Sequence, residues 1–203
     1  MSRPPERLDP NAATLHAYGQ AMDRWLEASS EEVGGMLLAF LEQVVAMTPA
    51  GGSVLEIGSG SGRDADWLEA HGLTVRRTDG CPEFVSALRS RGTDAQLLDV
   101  LRDPVPTGCD LVYASGVLLH LEADDLPAVL DKLAAAAPRL AFSVKVGEGS
   151  AWSTAKTGLP RFFQYWTEDS LRTALAATPW QVDSLEQQRG RYDDWLLVFC
   201  RTG

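Results

Sequence analysis

Apolar and polar positions along the chain change period repeatedly. Val54-Leu55-Glu56-Ile57 is a short, mostly apolar run that ends in glycines, which predicts a buried strand. A helix is expected from Arg63 to Ala70, closed by Gly72, and Leu73-Thr74-Val75 begins a second strand that ends at Asp79. Pro82 opens a further helix with Phe84, Val85 and Leu88 on one face and Gly92 as its stop. Ala95 to Leu98 and Asp110 to Ala114 read as a third and a fourth strand. Leu126, Val129, Leu130, Leu133 and Ala137 recur at three- and four-residue spacing and predict an amphipathic helix, with a fifth strand following from Leu140 to Val146. Thr167 suits the N-cap of a helix through Leu171, Ala174 and Leu175 that Pro179 ends. Trp180 to Leu185 and Trp195 to Arg201 are the last strands, and with no helix between them they should pair antiparallel.

Strands that alternate with helices, with a glycine turn after the first, predict an α/β fold: a single doubly wound, mostly parallel sheet that ends in an antiparallel strand. Weak breaks fall near Pro49-Ala50-Gly51-Gly52 and between Gly147 and Pro160. Residues 1–48 read as an N-terminal helical segment and residues 49–203 as the main domain. In the segment, Leu15, Tyr18, Met22, Trp25 and Leu26 are spaced for one apolar stripe, which either packs on the core or covers a ligand as a lid.

The length of 203 residues suits one domain, and 45% hydrophobic with 23% charged residues is ordinary globular usage. The start carries charge and prolines where a signal peptide needs an apolar stretch, and no segment approaches the roughly 18 apolar residues of a membrane span, so a cytoplasmic protein without a membrane partner is expected. Cys81, Cys109 and Cys200 are far apart and odd in number, which argues for buried thiols and against a disulfide framework or a metal site. A net charge of −10 disfavours nucleic acid as a partner.

The candidate chemistry gathers at Glu56-Ile57-Gly58-Ser59-Gly60-Ser61-Gly62, between the first strand and a helix, where glycines permit a tight turn and close approach of a ligand. Asp79 lies 17 residues beyond Gly62 at the end of the second strand, where a carboxylate can accept from both hydroxyls of a ribose or cap the turn before Pro82. Asp99 follows the third strand, and can reach an adenine amine or sit solvated in its turn; Val100 beside it offers an apolar surface. A nicotinamide loop needs glycine at position 63, where Arg63 stands, and the Gly-Lys-Ser/Thr of a phosphate-binding loop is absent. Glu56 would repel a pyrophosphate but favour an α-ammonium group.

These residues resemble the class I S-adenosylmethionine-dependent methyltransferases over roughly residues 50 to 200. The likeness rests on the acidic-x-Gly-x-Gly-x-Gly string from Glu56 to Gly62, the acids Asp79 and Asp99, and Ser115-Gly116-Val117-Leu118-Leu119-His120-Leu121, which looks like the family's Leu-His-His-Leu element. It implies a Rossmann-like methyltransferase fold that uses S-adenosylmethionine to methylate a small-molecule acceptor. It also implies a cofactor site of Glu56, Gly58, Ser59, Gly60, Gly62, Arg63, Asp79, Gly80, Asp99, Val100 and Ser115. The glycine loop would wrap the methionine part, Asp79 the ribose, and Asp99 and Val100 the adenine, while the Ser115 backbone would meet the amino group. Two departures stand out: Pro138-Arg139 replaces a glycine pair before the fifth strand, and only His120 of the usual histidine pair is present.

An acceptor hydroxyl or ammonium must lose a proton, and His120 is the best-placed candidate base, with Tyr165 and Glu148 behind it, set against the plainer reading of a packing histidine. Glu148, Trp152, Arg161, Phe163 and Tyr165 are candidate acceptor contacts beyond the fifth strand, Arg161 as an anion contact; their aromatic neighbours could equally pin a loop onto the core. Two rival readings remain: a non-catalytic domain that binds the same cofactor, and a nicotinamide-dependent oxidoreductase.

Overall fold

The computed structural model describes residues 9–29 and 32–203, so most of the proline-rich start, residues 1–8, lies outside the described residues. Three helices come first: α1 (Pro10–Gln20), α2 (Met22–Ala28) and α3 (Met36–Met47). The chain continues through β1 (Ser53–Ile57), α4 (Arg63–Ala70), β2 (Thr74–Asp79), α5 (Pro82–Ser90), β3 (Ala95–Leu97) and β4 (Leu111–Ser115). A 3-10 turn (Leu118–His120), α6 (Leu126–Ala136) and β5 (Arg139–Lys145) follow. The last elements are β6 (Ser150–Ser153), β7 (Arg161–Gln164), α7 (Glu168–Ala176), β8 (Trp180–Arg189) and β9 (Asp194–Thr202).

Seven strands form one sheet in the order β3-β2-β1-β4-β5-β9-β8. The pairs from β3 to β5 are parallel, and β9 runs antiparallel between β5 and β8. Side chains of a strand alternate between faces, and here both faces are covered. Leu55, Ile57, Val112, Ala114, Leu140, Phe142, Leu196 and Val198 meet α6 and α7 on one side. Val54, Leu111, Tyr113, Ala141, Leu197 and Phe199 meet α3 and α4 on the other. The inner strands β1, β4, β5 and β9 therefore read as mostly apolar runs, and Glu56 is the charge within β1, placed on the α4 face beside Tyr113 and buried at 2% exposure. The order in which strands are added reverses between the parallel neighbours β1 and β4, so the connections that leave them go to opposite faces and diverge at their carboxyl ends, where open α/β sheets bind ligands.

The structure corrects four expectations. The stripe from Leu15 to Leu26 is not one helix. Ala21, at φ −124° and ψ 25°, breaks it into α1 and α2, and Gly19 beside the break has low helix propensity and lets α1 approach the Glu83 carboxylate, 2.4 Å from where a Cβ would stand. The buried face of α1 is Asn11, Thr14 and Ala17 instead of the stripe. The stretch from 150 to 164, expected as a loop, is a hairpin in which β6 and β7 pair antiparallel, Trp152 opposite Phe162. Its long connection, with Gly158 and Pro160, hid the pairing. Finally, β8 runs on to Arg189 because the polar edge strand carries no apolar signal, and a bulge lies between Val182 and Ser184.

Among the described residues no helix is long and apolar enough to cross a membrane, and no group of three or more His, Cys, Asp or Glu side chains could hold a metal ion. All three cysteines are buried free thiols.

Arg77 on β2 shows how this fold buries a cation. Its guanidinium is 6% exposed and reaches both oxygens of Glu69 at 2.8 Å and Asp66 at 2.7 Å, tying β2 to α4. The bonds to Arg77 hold the Glu69 carboxyl below its ordinary 4.5. Arg77→Met should cost about 1–2 kcal/mol at pH 7, less than a fully buried pair because the carboxylates are half exposed. A depressed carboxylate stabilises above its unfolded value and loses that effect as pH falls. The wild-type advantage in urea unfolding should therefore shrink between pH 7 and pH ~3.5; an equal advantage at both would show that the pair contributes nothing.

Candidate active site

The turn after β1 needs glycine for its backbone. Gly58, Gly60 and Gly62 have φ of 75°, 52° and 84°, in the left-handed region that other residues avoid. Gly58 and Ser59 donate to the carbonyl of Thr78 at 2.8 and 2.9 Å, so the turn is laced to the end of β2. Thr78 returns the tie by donating its hydroxyl to the Glu56 carbonyl at 2.7 Å. A Cβ on Gly58 would come within 2.4 Å of Val117, which brings the loop after β4 onto the loop after β1.

Three carboxyls form the acidic side of this crevice. Glu56 Oε2 and the neighbouring Ser59 Oγ are buried without a hydrogen-bond partner. Burial, and then the negative charge of Asp64, push the Glu56 carboxyl up to about 8, so it holds its proton at neutral pH. Asp64 accepts from the Tyr113 hydroxyl at 2.8 Å and from Arg63 Nε at 2.7 Å. Asp79 accepts from the backbone N–H of Gly60 and of Cys81, both at 2.8 Å, so it does cap the turn before Pro82. Burial raises its carboxyl to about 6 against the pull of those two amides. A buried acid with one oxygen unpartnered, beside a hydroxyl and a turn of bare backbone, fits a ligand that brings an ammonium group.

Asp99 is not a free loop acid. Oδ1 accepts from the Leu101 N–H at 3.0 Å, and Oδ2 accepts from Asn11 Nδ2 of α1 at 2.8 Å and from Arg102. Arg102 also bonds Asp9, the N-cap of α1. Val100 is buried beside it. The first two helices thus lie across the glycine turns: the Trp25 ring is 3.3 Å from where a Cβ on Gly60 would stand, and Leu15 is 2.9 Å from the same point at Gly80. Trp25, Tyr18 and Phe84 meet edge to face or tilted, with centroids 5.2 to 6.3 Å apart.

On the far side of Tyr18 stands His120. Its Nδ1 is 2.6 Å from the Phe162 carbonyl, which can only accept, so Nδ1 carries the proton and Nε2 accepts from the Tyr18 hydroxyl at 2.9 Å. Burial lowers the imidazole to about 3, and the charges of Arg161 and Lys145 act in the same direction. Arg161 completes the chain by donating from Nη1 to the Tyr18 oxygen at 2.9 Å. The candidates Arg161, Phe163 and Tyr165 do gather here: Phe163 lies 4.7 Å from His120 and 6.5 Å from Tyr165, centroid to centroid. Ser115 ends β4 on the same side, and the Gly116 N–H donates to Ser143 Oγ.

Two candidates lie apart from this cluster. Glu148 is exposed on its turn, and Trp152 is 44% exposed, packed on Phe162 at 5.7 Å on the outer side of the hairpin. Tyr18, Phe84 and Lys156 belong to the cluster without having been singled out for it. Tyr18 was visible only as one member of an apolar stripe, and no spacing rule marks which hydroxyl of such a stripe turns inward.

Residues 29–185 match the family model described as "Methyltransferase domain". No curated protein sequence matches significantly. Among solved structures, magnesium protoporphyrin IX methyltransferase from Synechocystis PCC 6803 with bound SAM is similar at 18% identity and a TM-score of 0.74, over 98% of this chain and 100% of that one. A DhpI-SAM-HEP complex is similar at 18% identity and a TM-score of 0.77, over 97% and 99%. The 1,6-didemethyltoxoflavin-N1-methyltransferase of Burkholderia thailandensis, with its acceptor and S-adenosylhomocysteine bound, is similar at 20% identity and a TM-score of 0.64, over 100% and 93%. The family match spans most of the chain, and the chain belongs to the methyltransferase-domain family, with the fold of the class I S-adenosylmethionine-dependent methyltransferases.

Proposed function

We propose that this chain transfers a methyl group from S-adenosylmethionine to a small-molecule acceptor in the crevice between the turns after β1 and β4. The observation that carries the reading is buried Glu56, one oxygen of which has no hydrogen-bond partner, beside Ser59 at the head of a turn whose three glycines expose bare backbone. S-adenosylmethionine supplies, when bound, a sulfonium methyl that needs no protein nucleophile, so the residues' work is to bind, align and exclude water. Glu56, with Ser59 and the Ser115 backbone, would hold the amino acid end; Asp79 and Gly80 the ribose; Asp99 and Val100 the adenine; Gly58, Gly60, Gly62 and Arg63 would shape the wall. The solved relatives with small acceptors support the acceptor class.

Helices α1 and α2 act as a lid in this reading, since they rest on Gly60 and Gly80 and are latched to Asp99 through Asn11, whereas α3 is part of the core under the sheet. His120 serves to hold Tyr18: a base lowered to about 3 offers little driving force for taking an acceptor proton. A non-catalytic role would leave cofactor binding intact without turnover on any acceptor.

Calorimetry should find binding of S-adenosylmethionine and S-adenosylhomocysteine and none of NAD. Near pH 7 free Glu56 holds its proton, and an ammonium beside it favours the carboxylate, so binding should release a proton from it. The release is read by repeating the titration in buffers of different ionisation enthalpy. Glu56→Gln should abolish it and weaken binding; an unchanged release in that variant would remove Glu56 from the site.

Asp79 should rank Ala below Asn below wild type in cofactor affinity, with Ala weaker by about a hundredfold or more for two lost charge-assisted hydrogen bonds. Because an uncharged carboxyl accepts poorly, wild-type affinity should also fall as pH drops through about 6. Both variants should melt lower, since Asp79 also holds Gly60 and Cys81. A lower melt with unchanged affinity in the folded fraction would make Asp79 purely structural.

Trp25→Ala should leave the fold intact, because α2 buries no residue, and should speed S-adenosylhomocysteine dissociation about tenfold in stopped flow. Unchanged dissociation would rule out the lid.

A further inference from the structure

Arg161 is a buried cation of a different kind from Arg77. It is 4% exposed, yet among the described residues no carboxylate lies within ion-pair distance of it. Its guanidinium lies between two rings, 5.0 Å from the Tyr18 centroid and 5.1 Å from that of Phe163. Nη1 donates to the Tyr18 oxygen, Nη2 donates to the Ala155 carbonyl, and Nε has no partner. Arginine has five N–H donors and cannot lose its charge in a protein, so three donors and a full positive charge are left without an anion. Its electrostatic neighbours deepen the imbalance. Lys145 lies 4.8 Å from the Phe163 centroid, although Asp193 pairs it at 2.8 Å. Lys156, on the β6–β7 connection, has its ammonium lowered by desolvation and by the charges of Arg161 and Lys145.

Burying a cation without an anion is costly, and ring faces return only part of that cost. In a chain with 28 acidic residues against 18 basic ones, placing an acid beside Arg161 would have been simple. Cations instead gather at the hairpin, where Arg161 and Lys145 both act on Lys156.

We propose that the methyl acceptor carries an oxyanion group, a carboxylate or a phosphate or phosphonate, and that the free donors of Arg161 bind it, with Lys145 and Lys156 adding positive potential. Tyr18 is then a positioning residue: it holds Nη1 of Arg161 and is held by His120, so the guanidinium face is fixed before the acceptor arrives. This rests on the methyl-transfer reading of the crevice, and its test separates the two.

The full chain, saturated with S-adenosylhomocysteine, is titrated calorimetrically with benzoate, with phenylphosphonate, and with benzamide as the neutral control. At least one anion should bind ten times more tightly than benzamide; preference for benzoate identifies a carboxylate acceptor, and for phenylphosphonate a phospho group. Arg161→Gln should lose about tenfold to a hundredfold of anion affinity and bind benzamide as before. Arg161→Lys should lie between, and S-adenosylhomocysteine affinity should stay within about twofold in both, because Arg161 lies outside the glycine turns. The lysine variant keeps the charge should the glutamine variant misfold. Benzamide binding as well as both anions, or undiminished anion binding in Arg161→Gln, would overturn the proposal. Should the wild-type chain fail to bind S-adenosylhomocysteine, the cofactor reading falls, and the same anion titrations on the unsaturated chain still decide the role of Arg161.

Discussion

Left-handed backbone at Gly58, Gly60 and Gly62 is the constraint on which the carboxyl edge of this sheet depends. Three positive φ angles within five residues turn the chain out of β1 and straight into α4 without side chains in the way. The same turn places Glu56 under the loop and brings Val117 from the β4 side into contact. Trp25 and Leu15 can rest on Gly60 and Gly80 only because no Cβ stands there. A side chain at Gly58, Gly60 or Gly62 would be strained by its own φ, and one at Gly80 would make Leu15 move aside.

Around that turn the charges are segregated. The floor is acidic and underused: Glu56 lacks a partner for one oxygen, and both Glu56 and Asp79 are raised by burial. The hairpin side is basic and also underused, with Arg161 short of an anion. Each side would be an expense in a molecule that kept the crevice empty. Together they describe a site poised for a cationic group at one end and an anionic one at the other. Arg77, whose two terminal nitrogens are paired by Glu69 and Asp66 while its Nε has no partner, shows that the fold sets carboxylates beside a buried cation where the charge is structural.

Tyr18 joins these two halves. It comes from α1, takes a hydrogen bond from Arg161, gives one to His120, and packs against Trp25 over the glycine turn. A shift of the N-terminal helices therefore alters both the cover over the turn and the orientation of the guanidinium.

Short-range signals determined much of this protein. Apolar runs, glycine stops and the Thr167 cap set β1, α4, β2, α5, α6, β5 and α7 to within a residue or two, because those elements rest on local periodicity and end chemistry. The glycine turn and its acids were legible for the same reason: the φ demands are local, and strand ends place Asp79 and Asp99 at one edge. Other features depend on contacts between distant parts of the chain. Asp99 is engaged by Asn11, and His120 is held between Tyr18 and Phe162. The β6–β7 hairpin forms across a long connection, and the break at Ala21 aims Tyr18 and Trp25 at one cluster. Most of all, the lack of an anion beside Arg161 is a property of everything folded around it. A residue's type tells what it can bind; only the tertiary structure decides which partners reach it, because burial and pairing are set by chain segments far apart in sequence.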